Sequence, residues 1–227
     1  ERIRAKYPDL VIQCCASGGG RVNYGLMPYF DEFWVSDNTD AQQRLFIQWG
    51  SSMFFPACAM AQHVSASPNH QTRRVIPLKF RFDVAMTGRL GMEMKPSDLT
   101  EKELAYAKNA VATYKEIRPI IQQGNQYRII SPYEKTGYAS ELYITDDKSE
   151  AIFFAYKFEH YVNQFRPRFH FAGLDPAATY KLTEICRKKK TDHWEGRTFT
   201  GKFLMQQGVE IAPNGLFSSK VIRVVKQ

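Results

Sequence analysis

Through the first half of the chain, short apolar runs alternate with helical patterns. Leu10 to Cys15, Phe33 to Ser36, Met53 to Met60 and Val84 to Leu90 read as strands, and that alternation is the grammar of an α/β arrangement. The clearest helix starts after Thr100. Thr100 and Glu103 have the spacing of a capping box, and Leu104, Ala107, Val111 and Tyr114 recur at helical period. Pro119 is expected to kink or end this helix and Gly124 to close it.

Beyond Gly124 the texture changes to strands at short spacing: Tyr127 to Ser131, Ser140 to Thr145, Ala151 to Phe158, Arg168 to Phe171, Tyr180 to Ile185, Arg197 to Leu204 and Val221 to Val225. Asp146-Asp147-Lys148-Ser149, Gly173-Leu174-Asp175-Pro176 and Pro213-Asn214-Gly215 supply the Asp, Gly and Pro that chain reversals need. Strands so spaced predict an antiparallel β-sandwich. There is no internal repeat and no low-complexity tract.

Composition adds limits. With 227 residues and 44% hydrophobic content the chain can bury a real core. No apolar run approaches the roughly 20 residues that span a bilayer, and nothing behind Glu1 resembles a secretory signal, so no membrane partner is expected. Glu1 has no methionine before it, as if the sequence were cut from something longer. The net charge of +8 divides as 15 basic against 12 acidic residues up to Gly124 and 16 against 11 after it, a diffuse excess. Its one dense cluster, Arg187-Lys188-Lys189-Lys190, reads as a solvated run rather than a nucleic-acid site. The four cysteines, Cys14, Cys15, Cys58 and Cys186, lack C-x2-C spacing and point to a reducing, cytoplasmic setting without disulfides or a metal site. On a strand, Cys14 and Cys15 face opposite sides, so one can be core and the other can line a cleft.

The polar and glycine-rich segments each follow an apolar strand, where loops of a parallel barrel build an active site. After Leu10 to Cys15 comes Ala16-Ser17-Gly18-Gly19-Gly20-Arg21. It lacks the Gly-Lys-Ser/Thr of a phosphate loop and the G-x-S-x-G of a hydrolase elbow, so it reads either as a tight turn or as backbone brought close to a ligand. After Phe33 to Ser36 comes Asp37-Asn38-Thr39-Asp40. Asp40, three residues before Gln43, has the spacing of a helix cap. Asp37 has no such structural duty. It sits beside Trp34, whose face could stack on a sugar or desolvate the carboxyl, as a general acid requires. Gln62-His63-Val64-Ser65 and Pro68-Asn69-His70-Gln71-Thr72 read as a third polar loop, its histidines ordering the loop or touching substrate at a distance.

Taken together, C-A-S-G-G-G-R, W-V-S-D-N-T-D-A, R-L-F-I-Q-W-G and H-V-S-A-S-P-N-H-Q-T resemble the retaining α-galactosidases of glycoside hydrolase family 36, and Gly173-Leu174-Asp175-Pro176 with Tyr180 resembles their C-terminal β domain. The resemblance implies that residues 1–124 are the C-terminal part of a (β/α)8 TIM barrel and residues 125–227 an antiparallel β-sandwich. It implies Asp37 as catalytic acid/base, with Cys15 and Gly18 at the substrate, α-galactoside oligosaccharides of the raffinose or melibiose type; Trp34 is read as a further substrate contact from its place beside Asp37. No cofactor or metal is implied. The family's nucleophile, in a K-W-D-x-N-like motif on an earlier strand, has no counterpart: Asp9 precedes its strand, Asp40 is a cap, and Asp83 lacks the flanking residues. The chain therefore resembles the C-terminal third of a larger enzyme, inactive alone, whose open strand edges would favour self-association and which would be a homo-oligomer at full length. Galactosyl transfer of the raffinose-synthase kind and α-N-acetylgalactosaminide cleavage are the related alternatives. A carbohydrate-binding module using Tyr156, Phe169 and Trp194 as a sugar platform is the alternative from another class.

Overall fold

The computed structural model describes residues 1–161, 166–187, 193–211 and 213–227. After a short helix α1 (Arg2–Lys6), four parallel strands, β1 (Gln13–Cys14), β2 (Glu32–Trp34), β3 (Met60–Ser65) and β4 (Arg89–Glu93), are hydrogen-bonded in chain order. Helices α2 (Ala41–Ser52) and α3 (Leu78–Ala85) connect β2 to β3 and β3 to β4, and α4 (Glu101–Gln123) follows. This is the C-terminal part of a (β/α)8 barrel. The second sheet is antiparallel, with β5 (Asn125–Ile130), β6 (Tyr138–Ile144), β7 (Glu150–Lys157), β8 (Thr179–Ile185), β9 (Thr198–Thr200) and β10 (Ser218–Lys226) in the order β5-β6-β7-β10-β8-β9.

Several elements differ from their sequence reading, each for a physical reason. Met53 to Met60 is a turn and a single 3-10 turn, and the strand is Met60–Ser65, which carries the polar Gln62-His63-Val64-Ser65. The fully buried Gln62 has its Oε1 satisfied, accepting from Gln48 at 3.0 Å and from Thr87 at 2.9 Å. Val84 and Ala85 end α3 rather than begin a strand. All eight residues of α3 are buried, so no polar stripe marks its period. Pro119 lies inside α4, which continues to Gln123 and is closed by Gly124. Arg168 to Phe171 makes one isolated bridge, Phe169 to Val209, and Arg197 to Leu204 splits into β9 and a short helix α5 (Gly201–Gln206), capped where Thr200 Oγ1 accepts from Phe203 N–H at 3.1 Å. Of the basic cluster, Lys188, Lys189 and Lys190 lie outside the described residues, while Arg187 pairs with Glu195 at 3.3 Å.

The antiparallel sheet is buried on both faces, so its central strands read as continuous apolar runs. Alternate residues divide between two cores. Tyr143, Ile152, Phe154, Tyr156 and Val221 join α3, α4 and the parallel strands, whereas Leu142, Phe153, Ala155, Ile222 and Val224 meet Phe169, Phe171, Trp194 and Leu204 on the far side. Tyr156, Phe169 and Trp194 are at most 1% exposed, so the sugar-platform alternative fails: these aromatics are core. The junction also has a polar pin. Asp83 of α3, fully buried, accepts from Lys79 Nζ at 2.5 Å and from Ser219 Oγ of β10 at 2.7 Å, while Tyr156 donates its hydroxyl to the Asp83 carbonyl at 3.0 Å.

Helix α2 begins where Asp40 Oδ1 accepts the amides of Gln42 and Gln43, each at 3.0 Å. The same buried carboxylate contacts Arg74 Nη1 at 2.7 Å and accepts from Thr72 Oγ1 at 2.6 Å, so it does more than cap.

Two outcomes follow for urea unfolding of the purified chain. Phe154→Ala, in the core common to both sheets, should cost about 3–5 kcal/mol and leave a single transition seen identically by far- and near-ultraviolet circular dichroism. Separate transitions would contradict a shared core. Asp40→Ala should cost about 3 kcal/mol, combining cap and ion-pair loss, and Asp40→Asn markedly less; equal midpoints for Asp40→Ala and the native chain would refute the bridging role.

Candidate active site

Three loops leave the carboxyl ends of β1, β2 and β3 and meet one another. Gly18 takes φ +76°, and a side chain there would begin 2.8 Å from Ser36 Cα and 3.2 Å from the amide nitrogen of Asp37. The glycine loop is thus laid directly on the loop after β2, which only a residue without a Cβ permits. Cys14 is buried in the core while Cys15 is exposed. The third loop is tied to the second: Ser65 Oγ donates to the Thr39 carbonyl at 2.7 Å, Asn69 Nδ2 to Thr39 Oγ1 at 3.2 Å, and Asp40 reaches Thr72 and Arg74 as above.

The loop after β2 has no regular structure, so its backbone groups are satisfied by side chains. Ser36 Oγ accepts from Asn38 N–H and Asn38 Oδ1 accepts from Asp40 N–H, both at 3.1 Å. Arg44, one turn into α2 and 2% exposed, donates Nε to the Asn38 carbonyl at 2.7 Å and Nη2 to the Ser36 carbonyl at 2.6 Å. Between those two anchored residues Asp37 projects its carboxylate into solvent, without a hydrogen-bond partner among the described residues. Burial pushes the Arg44 guanidinium down to about 10, against the opposing charges of Glu93 and Asp37.

Trp34 is placed differently from an open sugar platform. It is 8% exposed, with the Arg44 guanidinium 4.4 Å from its ring centre and the His63 ring 4.3 Å away. Its surface is taken up by neighbours that order the loop. His63 is held below the usual imidazole range by burial and, less strongly, by the Arg44 charge. Along the strands, Glu32, Trp34, His63, Arg89 and Glu93 fall on one face by alternation, opposite the buried Phe33 and Val64. Glu32 pairs with Arg89 at 2.5 Å lower on that face. Among the described residues no group of three or more His, Cys, Asp or Glu side chains could hold a metal ion.

Two site residues escaped the sequence reading. Arg44 is one, although its place four residues after a cap, on an otherwise inward-facing stripe, was a usable signal. Glu93, exposed at the carboxyl end of β4, is the other; misplacing the strand at Val84 to Leu90 hid it.

Residues 1–124 match the melibiase family model, and residues 138–224 match the glycosyl hydrolase family 36 C-terminal domain. Probable alpha-galactosidase C of Aspergillus flavus is 37% identical over 229 aligned positions, covering 100% of this chain and 29% of that protein. Alpha-galactosidase AgaA of Geobacillus stearothermophilus is 39% identical over 182 positions, 80% of this chain and 25% of its own length. Among solved structures, the family 36 alpha-galactosidase AgaB from Geobacillus stearothermophilus superposes with a TM-score of 0.90 at 36% identity, covering 100% of this chain and 30% of that one. A variant of AgaA solved in complex with raffinose gives 0.90 at 34% identity over 99% of this chain and 30% of the other. The chain thus spans about a third of the length of these relatives. With matching family models over the parallel-sheet region and over most of the antiparallel one, and three motif loops converging at the strand ends, the chain belongs to glycoside hydrolase family 36, the melibiases.

Proposed function

We propose that this chain supplies the acid/base half of a retaining α-galactosidase, residues 1–124 forming the last part of its catalytic barrel and residues 125–227 its C-terminal β domain. The observation that carries the reading is Asp37: an exposed carboxylate at the carboxyl end of a barrel strand, its backbone anchored on both sides and its oxygens unengaged. Asp37 protonates the glycosidic oxygen as galactose departs, then takes a proton from the water that releases the sugar. Cys15 and Gly18 border the galactose pocket from the loop after β1, and Trp34 serves from behind, as a packing surface for Arg44. Relatives solved with raffinose and with stachyose support α-galactoside oligosaccharides as substrates.

A retaining mechanism needs a second carboxylate about 5–5.5 Å from the first. Asp40 is engaged on both oxygens, Asp31 accepts from Arg4 and from Ile12 N–H, Glu32 is paired with Arg89, and Asp83 is buried with Lys79. With these four engaged, we assign the nucleophile to a barrel strand outside this chain, Glu93 being the rival carboxylate on the site face.

In the protein expressed from its complete reading frame, Asp37→Asn should lower kcat/KM for a sugar leaving group by about 100- to 10,000-fold. With a nitrophenyl leaving group, which departs without protonation, the loss should be far smaller; equal losses would remove Asp37 from the acid role. The 227-residue chain alone should not hydrolyse nitrophenyl α-galactoside. Turnover by it would instead point to Glu93 as a second carboxylate within this chain.

A further inference from the structure

Arg44 stands out because its burial is expensive and its hydrogen bonds go to backbone on either side of one residue. A guanidinium taken from water is costly unless well bonded, and an apolar side chain at that turn of α2 would fill the same space at lower cost. The arginine meets the carbonyls of Ser36 and Asn38 at 2.6 and 2.7 Å and touches Trp34, and nothing else among the described residues uses its charge in an ion pair. The residue between the two carbonyls is Asp37.

We propose that Arg44 is the positioning residue for Asp37, and this rests on the acid/base reading given above. A general acid must be held to within about half an ångström of its working place. A direct hydrogen bond or salt bridge to its carboxylate would favour the ionised form and work against proton donation. Arg44 meets the first demand without such a bond. It fixes the backbone before and after Asp37 and leaves the carboxyl oxygens unbonded, free to carry the proton. The planar fork suits this role, since Nε and Nη2 reach two carbonyls at once while the guanidinium lies against an indole ring. A lysine at position 44 offers a single nitrogen in place of two spaced ones and loses the plane that lies on the indole.

The test uses the protein from its complete reading frame with Arg44→Ala, Arg44→Lys and, for comparison, Asp37→Asn. For both Arg44 variants, kcat/KM with a sugar leaving group should fall at least about 100-fold, the scale of lost general-acid catalysis, and the nitrophenyl substrate should lose at most a tenth of that factor. Added methylguanidinium should restore part of the sugar-leaving-group activity to Arg44→Ala and none to Asp37→Asn. In the 227-residue chain, amide hydrogen exchange at residues 37–40 should accelerate in Arg44→Lys while β7 stays protected. Equal losses on the two substrates, wild-type turnover in Arg44→Lys, or unchanged exchange at residues 37–40 would overturn the proposal. Absence of α-galactoside hydrolysis by the unsubstituted protein would instead sink the enzymatic reading, and the exchange measurement would still decide whether Arg44 holds the loop.

Discussion

A loop that leaves a strand and turns back beneath the protein surface carries backbone donors and acceptors that no ladder can satisfy, and each left unpaired costs as much as a lost hydrogen bond. The site of this protein is organised around that constraint. The segment from Ser36 to Asp40 has neither helix nor strand, yet Thr39 and Asp40 are at most 2% exposed. The Asn38 and Asp40 amides are taken by Ser36 and Asn38, and the Ser36, Asn38 and Thr39 carbonyls by Arg44 and Ser65. Asp37 is the member left facing water, between two neighbours whose carbonyls are held by Arg44.

The same solution recurs one unit later. Arg81 of α3 donates Nε to the Ile76 carbonyl at 3.0 Å and Nη1 to the Ser65 carbonyl, as Arg44 of α2 does for the preceding loop. In both units an arginine on the helix after a strand reaches back to the carbonyl at or just beyond that strand's end. Burial depresses the guanidinium in each case, offset in part by carboxylate charges: Glu93 and Asp37 for Arg44, Glu103 for Arg81. These loops are built to keep a shape, which suits the role proposed for Asp37.

The β domain contributes from behind. Its sheet shares a core with α3 and α4, and Ser219 reaches through to Asp83. The buried stripe of α2 is largely polar: Gln48 donates to Gln62, Thr87 and the Val84 carbonyl, and Ser52 accepts from Arg128 Nε of β5. Hydrogen bonds of this kind have direction, so they fix the rotation of α2 about its axis more tightly than apolar packing would. That rotation sets where Arg44 points.

The sequence alone carried the order of the units, the Thr100 capping box, the Asp40 cap, and the opposite facing of Cys14 and Cys15. All of these depend on neighbours within a few positions, where spacing and residue type suffice. What it misread were the end of α3, where Val84 and Ala85 are as enclosed as the rest of the helix and read as the start of a strand, and β3, most of whose polar side chains are buried. Trp34 beside Asp37 suggested a sugar platform, but whether an aromatic face is open depends on what arrives from elsewhere in the chain, here Arg44 and His63. Only the tertiary structure could make Arg44 a partner of Ser36 and Asn38, give Asp40 its second role with Thr72 and Arg74, and bring Glu93 to the site face. Contacts between separate loops leave no local pattern to read.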